Sequence, residues 1–178
     1  MSVRRAEAEE WESLRDLRLA ALVDSPDAFG STLGEEREAA ESRWLGWITG
    51  EGWSGDVATF VSGDGDGLVG MATGFQPTSE PEVVHLFAMW VRPDQRRRGL
   101  GRALVAAVVG WATERPDVDR VVLRVTTSND EAFRFYRSCG FVETSDPPEP
   151  LREGSELSTR TMYRRIEGVI ESTGGNGS

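Results

Sequence analysis

The sequence predicts a mixed α/β fold built on a mostly antiparallel sheet, and three observations support this prediction. A run that is apolar on both alternating faces, Val83–Val91, predicts a central strand buried on both sides. Directly after it, apolar residues from Leu100 to Ala112 recur at helical spacing and predict an amphipathic helix of about four turns. Two more strand-like runs precede the central strand over short connections, so the three strands should form an antiparallel meander.

The region before the meander should be largely helical. Val3–Arg5 predicts a short edge strand, followed by a helix from about Ala6 to Val23 and a second helix from about Glu35 to Ile48. We expect the buried faces of these helices to carry Trp11, Leu14, Leu17 and Ala21 in the first, and Ala40, Trp44, Trp47 and Ile48 in the second. The strands 57–61 and 68–75 follow, joined by the turn 63–67. Its Gly-Asp alternation lacks the spacing and the closing glutamate of a calcium loop.

Past the long helix, the pattern predicts one more strand, a helix and two further strands. Arg120–Thr126 follows a helical crossover and should therefore run parallel to the central strand. Ser128 and Glu131 match a capping box that would open a helix ending near Gly140. Strands are expected at 141–144 and at about 157–165, on either side of a proline-rich loop. We expect residues 1–166 to form a single domain and residues 167–178 to be a disordered tail.

Composition excludes several classes of function. The chain has 178 residues and a formal net charge of -10, which disfavours nucleic acid as a partner because nucleic-acid binding needs a broad basic face. One cysteine and one histidine exclude an internal disulfide and argue against a metal site. The N-terminus has no apolar core typical of a signal peptide, and no long apolar run follows. We therefore expect a cytoplasmic protein that does not associate with membranes.

The turn between the central strand and the long helix has the composition of an anion site. Gly99 and Gly101 flank the first turn of the helix, where free backbone N–H groups can approach a ligand closely. Arginines crowd around it at positions 92, 96, 97, 98 and 102, which suggests a phosphate or pyrophosphate ligand. The chain contains no lysine, so a P-loop does not fit, and Leu104 breaks the dinucleotide-binding fingerprint. The alternative is an arginine-rich, solvated turn.

Two motifs carry a resemblance to a known family. The turn reads R-x-x-G-x-G from Arg96 to Gly101, and the segment from Asn129 to Phe141 reads N-x-x-A-x-x-x-Y-x-x-x-G-F. Together with the order of the elements, these motifs resemble the GNAT superfamily of acyl-coenzyme A-dependent N-acyltransferases, over roughly Val3 to Ile166. The resemblance implies a twisted, mostly antiparallel sheet with a splayed parallel pair of strands and helices on both faces. Dimers are common in the family, so a homodimer stays open.

The resemblance also implies an enzyme that moves an acetyl group from acetyl-CoA directly to a primary amine, without a metal. Met89 and Val91 would bind the pantetheine arm through their main chain, and Asn129 would bind it as well. Tyr136 would be the general acid for the leaving thiolate or, alternatively, only pack against the coenzyme. The pyrophosphate would be bound by Arg96, Arg97, Arg98, Gly99, Leu100, Gly101 and Arg102. Among the side chains, Arg96 is the first candidate, because it is the arginine of the motif.

The general base is left open between two residues. His85 and Glu82 lie on or just before the central strand, where family members often recruit a base through water. A histidine in a doubly apolar strand can equally be a packed core residue, and Glu82 can be a solvated strand end. Cys139, beside the helix stop, is interpreted as structural because the family transfers the acyl group directly.

Acidic residues give the one indication of the acceptor amine in the sequence. Seven acidic residues fall in segments expected to rim the acceptor side: Asp24, Asp27, Glu35, Glu36, Asp146, Glu149 and Glu153. They favour a cationic small molecule or a protein or peptide amine, unless they only reflect the overall acidity of the chain. Two other functions stay open, a non-catalytic acetyl-CoA-binding sensor or interaction module and, at this net charge, the least favoured one, nucleic-acid binding.

Overall fold

A computed structural model of the chain describes residues 2–64 and 67–166. The predicted tail at 167–178 and part of the predicted turn at 63–67 lie outside these residues. The strands are β1 (Val3–Arg5), β2 (Gly55–Asp64), β3 (Gly67–Pro77), β4 (Val83–Val91), β5 (Arg120–Thr126), β6 (Val142–Glu143), β7 (Glu149–Pro150) and β8 (Ser158–Arg165). The helices are α1 (Trp11–Asp24), α2 (Leu33–Arg37), α3 (Glu41–Thr49), α4 (Leu100–Thr113) and α5 (Asp130–Ser138).

All eight strands belong to one mixed sheet. Its order is β1-β2-β3-β4-β5-β8-β6, and β7 pairs with β8. The pair β4–β5 is parallel, and the other pairs are antiparallel. The predicted fold class, a mostly antiparallel sheet with one parallel pair, is therefore confirmed.

The sheet buries one apolar core on each face. On one face, α1 and the α3 residue Trp47 pack against Met71 and Trp90 of the central strands. On the other face, Leu104, Val108 and further apolar residues of α4 pack against the sheet together with Tyr136 and Phe141. The sequence of β4 is apolar on both faces because this strand contributes side chains to both cores.

A β-bulge in β4 separates the parallel pair. The pairing of β3 with β4 shifts register between Met71 and Thr73, and Ala88, opposite this irregularity, has a φ of 51°. The parallel ladder itself is short, joining Val83–His85 to residues 120–122. Beyond His85 the two strands diverge, so the second half of β4 presents its edge to a gap and not to a neighbouring strand.

Four sequence predictions of local structure need correction. The helix expected at 35–48 is two helices with a break at 38–40, and Ala40, expected to be buried, is exposed at the N-cap of α3. The helix expected at 6–23 begins as a 3-10 turn, and α1 itself starts at Trp11, which is only half-buried. The N-cap of α5 is Asn129 and not Ser128, because the Asn129 side chain accepts the Ala132 N–H at 3.0 Å. The short strand β7 lies in the loop predicted to be irregular.

Candidate active site

The gap between β4 and β5 opens into a cavity of about 770 Å³. One end of the cavity lies at the turn between β4 and α4, and the other end lies between α1, α2 and α3. The β4 residues from His85 to Val91 line it along its length, facing Val122–Thr126 of β5. The cavity is thus a single passage through the site at which the parallel strands separate.

The turn end of the cavity presents backbone N–H groups. Gly99 is the N-cap of α4 with a φ of 81°, and a Cβ added to it would meet no other atom within 4 Å. The first N–H groups of an α-helix have no partner within the helix, so the amides from Gly99 to Arg102 are free to bind an anion. Gly101 has a different role: a Cβ there would lie 2.9 Å from Met89 Cε and 3.3 Å from Phe135 Cζ. Its missing side chain lets α4 start close to β4 and α5.

The arginines of this turn do not all reach the cavity. Arg97 and Arg102 line it, and Arg102 also donates to the Ser138 carbonyl at 2.8 Å. Arg96 lines it too, but its guanidinium donates to Asp24 at 2.6 Å and to the Val91 carbonyl at 2.9 Å. Arg98 lies away from the cavity lining and is 3.3 Å from the Gln95 side-chain oxygen. Arg102 also donates to the Ser138 hydroxyl at 2.9 Å, but within the described residues neither Arg97 nor Arg102 is paired with a carboxylate. Both are therefore better placed for an anion than Arg96, which is paired with Asp24.

Other residues that the sequence singled out differ in position. Met89, Val91, Asn129 and Tyr136 all line the cavity, whereas the Leu100 side chain is buried in the core. The Val91 carbonyl already accepts the Arg96 bond, so Met89 has the freer main chain. The Asn129 side-chain oxygen is used as the cap of α5, which leaves its amide nitrogen as the group available to a ligand.

Tyr136 combines burial with access to the cavity. Only 9% of the residue is exposed, and its ring packs edge-on against Phe135 and Phe141. Burial, and to a lesser degree the neighbouring Cys139, raises the pKa of the Tyr136 phenol well above its ordinary value. Because the charged form is disfavoured, the phenol stays protonated and can act as a hydrogen-bond donor.

The two base candidates lie in different environments. His85 lines the cavity, and its Nε2 lies 3.1 Å from the carboxylate of Glu80. Glu82 is outside the cavity lining, with its carboxylate 3.9 Å from Arg120. The structure thus brings His85, but not Glu82, to the same cavity as Tyr136.

The opposite end of the cavity contains a charged group that the sequence analysis missed. Its lining there includes Arg18, Phe29, Ser31, Glu36, Arg43, Trp47 and Phe87. Arg18 is 4% exposed and its guanidinium carbon lies 4.2 Å from the centre of the Phe29 ring. A signal was present in the sequence, because Arg18 follows Leu14 by four residues and precedes Ala21 by three, on the buried face of α1.

The acidic residues expected to rim the acceptor side are mostly engaged elsewhere. Asp24 accepts bonds from Arg96 and from the Trp90 indole N–H, and the Glu35 carboxylate accepts the Thr32 N–H in a capping box. Glu36 is the one member of the set of seven that lines the large cavity, and it is bound to Arg43 by two hydrogen bonds of 3.0 Å. Of the seven, the large cavity is therefore lined by one carboxylate, and that one is already paired with Arg43.

Within residues 2–64 and 67–166, no group of three or more His, Cys, Asp or Glu side chains could hold a metal ion. No helix in the same part of the chain is long and apolar enough to cross a membrane.

Comparison with known proteins points to one family. A model of the acetyltransferase (GNAT) family matches residues 11–141. A mycothiol acetyltransferase from Rhodococcus jostii (strain RHA1) is 31% identical over 144 residues, which cover 79% of this chain and 45% of that protein. The chain spans less than half the length of the curated relatives it matches.

Solved structures share the fold at low identity. The structure of yncA from Salmonella typhimurium with its cofactor acetyl-CoA superimposes with a TM-score of 0.75 at 18% identity, covering 94% of both chains. Spermidine N-acetyltransferase from Vibrio cholerae, solved in complex with CoA and spermine, gives a TM-score of 0.70 at 15% identity, covering 92% of this chain and 94% of that one.

Proposed function

Because the chain belongs to the acetyltransferase (GNAT) family, we propose that it transfers an acetyl group from acetyl-CoA directly to a primary amine. The observation that carries this proposal is the continuous cavity between the splayed strands. At one end lies the N-terminus of α4 with its free N–H groups. At the other end lies a chamber lined by Arg18, Glu36 and Trp47, among others. Such a cavity suits direct transfer, because it can hold both substrates with the amine nitrogen next to the thioester carbon.

The residues at the turn suit the diphosphate of the coenzyme. Backbone N–H groups from Gly99 to Arg102 would bind its oxygens, aided by the guanidinium groups of Arg97 and Arg102. The open space beside Gly99 allows the backbone to approach a ligand closely. The free edge of β4 at Met89 and the Asn129 amide would bind the pantetheine arm in the manner of an added strand.

The reaction needs two proton transfers in addition to the exchange of the C–S bond for a C–N bond. The amine nitrogen attacks the thioester carbonyl carbon, the C–S bond breaks with its electron pair on sulfur, and an amide C–N bond forms. The nitrogen must lose a proton and the thiolate must gain one. A main-chain N–H on the second half of β4 would stabilise the negative charge that develops on the carbonyl oxygen.

Tyr136 would donate a hydrogen bond to the departing sulfur. Since burial raises its pKa, complete transfer of the phenolic proton is uphill on its own. The positive charge that forms on the attacking nitrogen would lower this cost, because it stabilises the phenolate across the site. Tyr136 is thus proposed to give its proton to sulfur during C–S cleavage. The proton that the attacking nitrogen loses then returns to the phenolate by way of the general base or water, so the transfer balances.

His85 is the better of the two base candidates. It lines the cavity, and the Glu80 carboxylate, 3.1 Å from Nε2, would orient the ring. Glu82 lies outside the cavity lining, with its carboxylate 3.9 Å from Arg120. The proton would pass from the amine to His85, directly or through water.

The test is release of the coenzyme thiol from acetyl-CoA in the presence of a panel of amines, with acetyl-CoA binding followed separately by calorimetry. Tyr136→Phe should lower kcat at least about tenfold and leave the Kd for acetyl-CoA within about twofold, because the ring packing is retained. The matched control is Tyr163→Phe, on β8 and outside the cavity lining, which should change neither.

Equal loss of binding and turnover in Tyr136→Phe would reassign this residue to packing. Acetyl-CoA binding without product formation for every amine would favour the sensor or interaction module over the enzyme.

A further inference from the structure

The guanidinium of Arg18 lies at the lining of the cavity and is almost completely buried. Its Nη2 donates to the Ser31 hydroxyl at 2.8 Å. Its Nε and Nη1 atoms are buried and have no hydrogen-bond partner within residues 2–64 and 67–166. A buried arginine normally satisfies all of its donors, since a charged group left unpaired away from water is costly.

Among the described side chains with buried unpartnered atoms, Arg18 alone lines the large cavity. The other arginines in this chamber are occupied: Arg43 holds Glu36 through two bonds, and Arg124 donates to Thr159 at 2.9 Å and to the Pro150 carbonyl at 2.7 Å. Phe29 and Trp47 flank the Arg18 guanidinium at 4.2 and 5.5 Å and hold its position. Arg18 is therefore held in place at the cavity wall, with two buried donors that have no partner within the described residues.

The charges around Arg18 do not balance. Glu36 is 1% exposed and neutralises Arg43, which leaves the positive charge of Arg18 without a carboxylate of its own. Burial lowers the pKa of Arg18 to about 10; the nearby Glu36 opposes this shift and Arg43 adds to it, so the group is still charged at neutral pH. Two guanidinium groups thus share the one buried carboxylate of Glu36. A ligand with one negative charge would compensate the excess positive charge in this part of the cavity.

We propose that Arg18 binds a carboxylate of the acceptor, so that the enzyme acetylates a carboxylate-bearing amine of the amino-acid type. This inference rests on the proposed acetyltransferase function and specifies its second substrate. A guanidinium fork matches the two oxygens of a carboxylate, and Phe29, Trp47 and Phe87 give the rest of the chamber apolar walls.

The chamber favours a single negative charge over a phosphate dianion. The buried Glu36 carboxylate lies in the same chamber, so a second negative charge on the ligand would be repelled where little water screens it. A cationic acceptor such as a polyamine would meet an already positive, buried group. The ligand that fits both conditions carries one carboxylate and an apolar or aromatic side chain.

The experiment compares acceptors that differ only in the carboxylate. Thiol release is measured for phenylalanine, leucine and methionine, each as the free amino acid, the amide and the methyl ester, with spermidine as a cationic arm and phosphoserine as a dianionic arm. We expect kcat/KM for the free acids to exceed that of their amides by about 10- to 100-fold, the range for losing a hydrogen bond to a charged group.

Arg18→Gln should abolish this preference, while acetyl-CoA binding by calorimetry stays at the wild-type value. The matched control is Arg15→Gln, which removes an arginine from the same helix but outside the cavity and should preserve the preference. A second variant guards against misfolding: Arg18→Met should have a Tm equal to or above that of the wild type without ligand, because an unpaired buried charge is removed.

Several results would overturn the inference. Amides or spermidine used as well as the acids would contradict it, and so would an acid preference that survives in Arg18→Gln. If no amine turns over, the proposed function fails, and the inference is then judged by thermal shift with the free acids and amides in the absence of acetyl-CoA. A Tm increase with the acids alone, lost in Arg18→Gln, supports it; equal shifts for acids and amides, or none, reject it.

Discussion

A side chain at Gly99 should remove coenzyme binding. It should also lower stability, and this second effect can be measured separately at a matched glycine, Gly50. Gly99 has φ 81° and ψ -4°, and Gly50, the C-cap of α3, has φ 81° and ψ -1°. A Cβ at either position would meet nothing within 4 Å. The two glycines therefore present the same backbone strain to a substitution, but only Gly99 lies at the cavity.

The expected magnitudes follow from this geometry. A left-handed conformation costs an L-residue about 1–2 kcal/mol, so Gly99→Val and Gly50→Val should each lower the free energy of unfolding by about that amount. In a domain of this size, that corresponds to a Tm decrease of roughly 2–8 °C. The Gly99 side chain would also project into the space that a bound diphosphate needs. Loss of one hydrogen bond to a charged group costs about 1.5–3 kcal/mol, and each 1.4 kcal/mol is about tenfold in Kd.

The assay pairs thermal unfolding with calorimetric titration of acetyl-CoA for both variants. Gly50→Val should bind acetyl-CoA as the wild type does, and Gly99→Val should bind at least about tenfold more weakly at a similar Tm. Wild-type affinity in Gly99→Val would show that the turn is not the diphosphate site. Equal loss of affinity in both variants would show that binding follows stability and not the local backbone.

Two further predictions concern packing and pH. Gly101→Ala places a methyl group 2.9 Å from Met89 Cε and should raise the KM for acetyl-CoA with little change in Tm, whereas Gly110→Ala, with open space around it, should stabilise α4 by about 0.5–1 kcal/mol and leave KM unchanged. Hydrogen bonds, chiefly from the Ser25 hydroxyl, lower the pKa of Asp24 from 3.8, so its stabilising effect is complete above that pH and is lost as the pH falls through the lowered pKa. Asp24→Asn should therefore unfold more readily at pH 7 and show a flatter acid dependence of Tm, and an unchanged acid limb would refute the role of this carboxylate.

The elements that sequence could predict are those with strong periodicity. The β4 strand was predicted at its observed bounds, and α4 was predicted to within a residue at its C-terminal end, because long apolar runs leave few alternative structures. The break between α2 and α3 was missed because residues 38–40 contain neither glycine nor proline. The two alanines there favour a helix locally, and tertiary packing overrides that preference.

The partners of the loop arginines could not be predicted for a different reason. Sequence placed Arg96 first among the diphosphate ligands, since it is the arginine of the motif. In the structure it is held by Asp24, a residue 72 positions away that belongs to the end of α1. Spacing along the chain carries no information about such a contact, and only the fold decides which guanidinium groups stay free.

The charge at the acceptor end of the cavity could not be predicted from the sequence either. A net charge of -10 suggests a site for cations, yet charges act on a ligand according to their burial and pairing more than their number. Glu36 is buried but forms an ion pair with Arg43, and Asp24 forms an ion pair with Arg96. Arg18 is buried at the cavity lining and, within residues 2–64 and 67–166, has no carboxylate bound to it. Its positive charge should therefore act on a ligand more strongly than the exposed negative charges do. If the proposed activity holds, the preference for the acceptor should therefore follow Arg18 and oppose the sign of the protein's net charge.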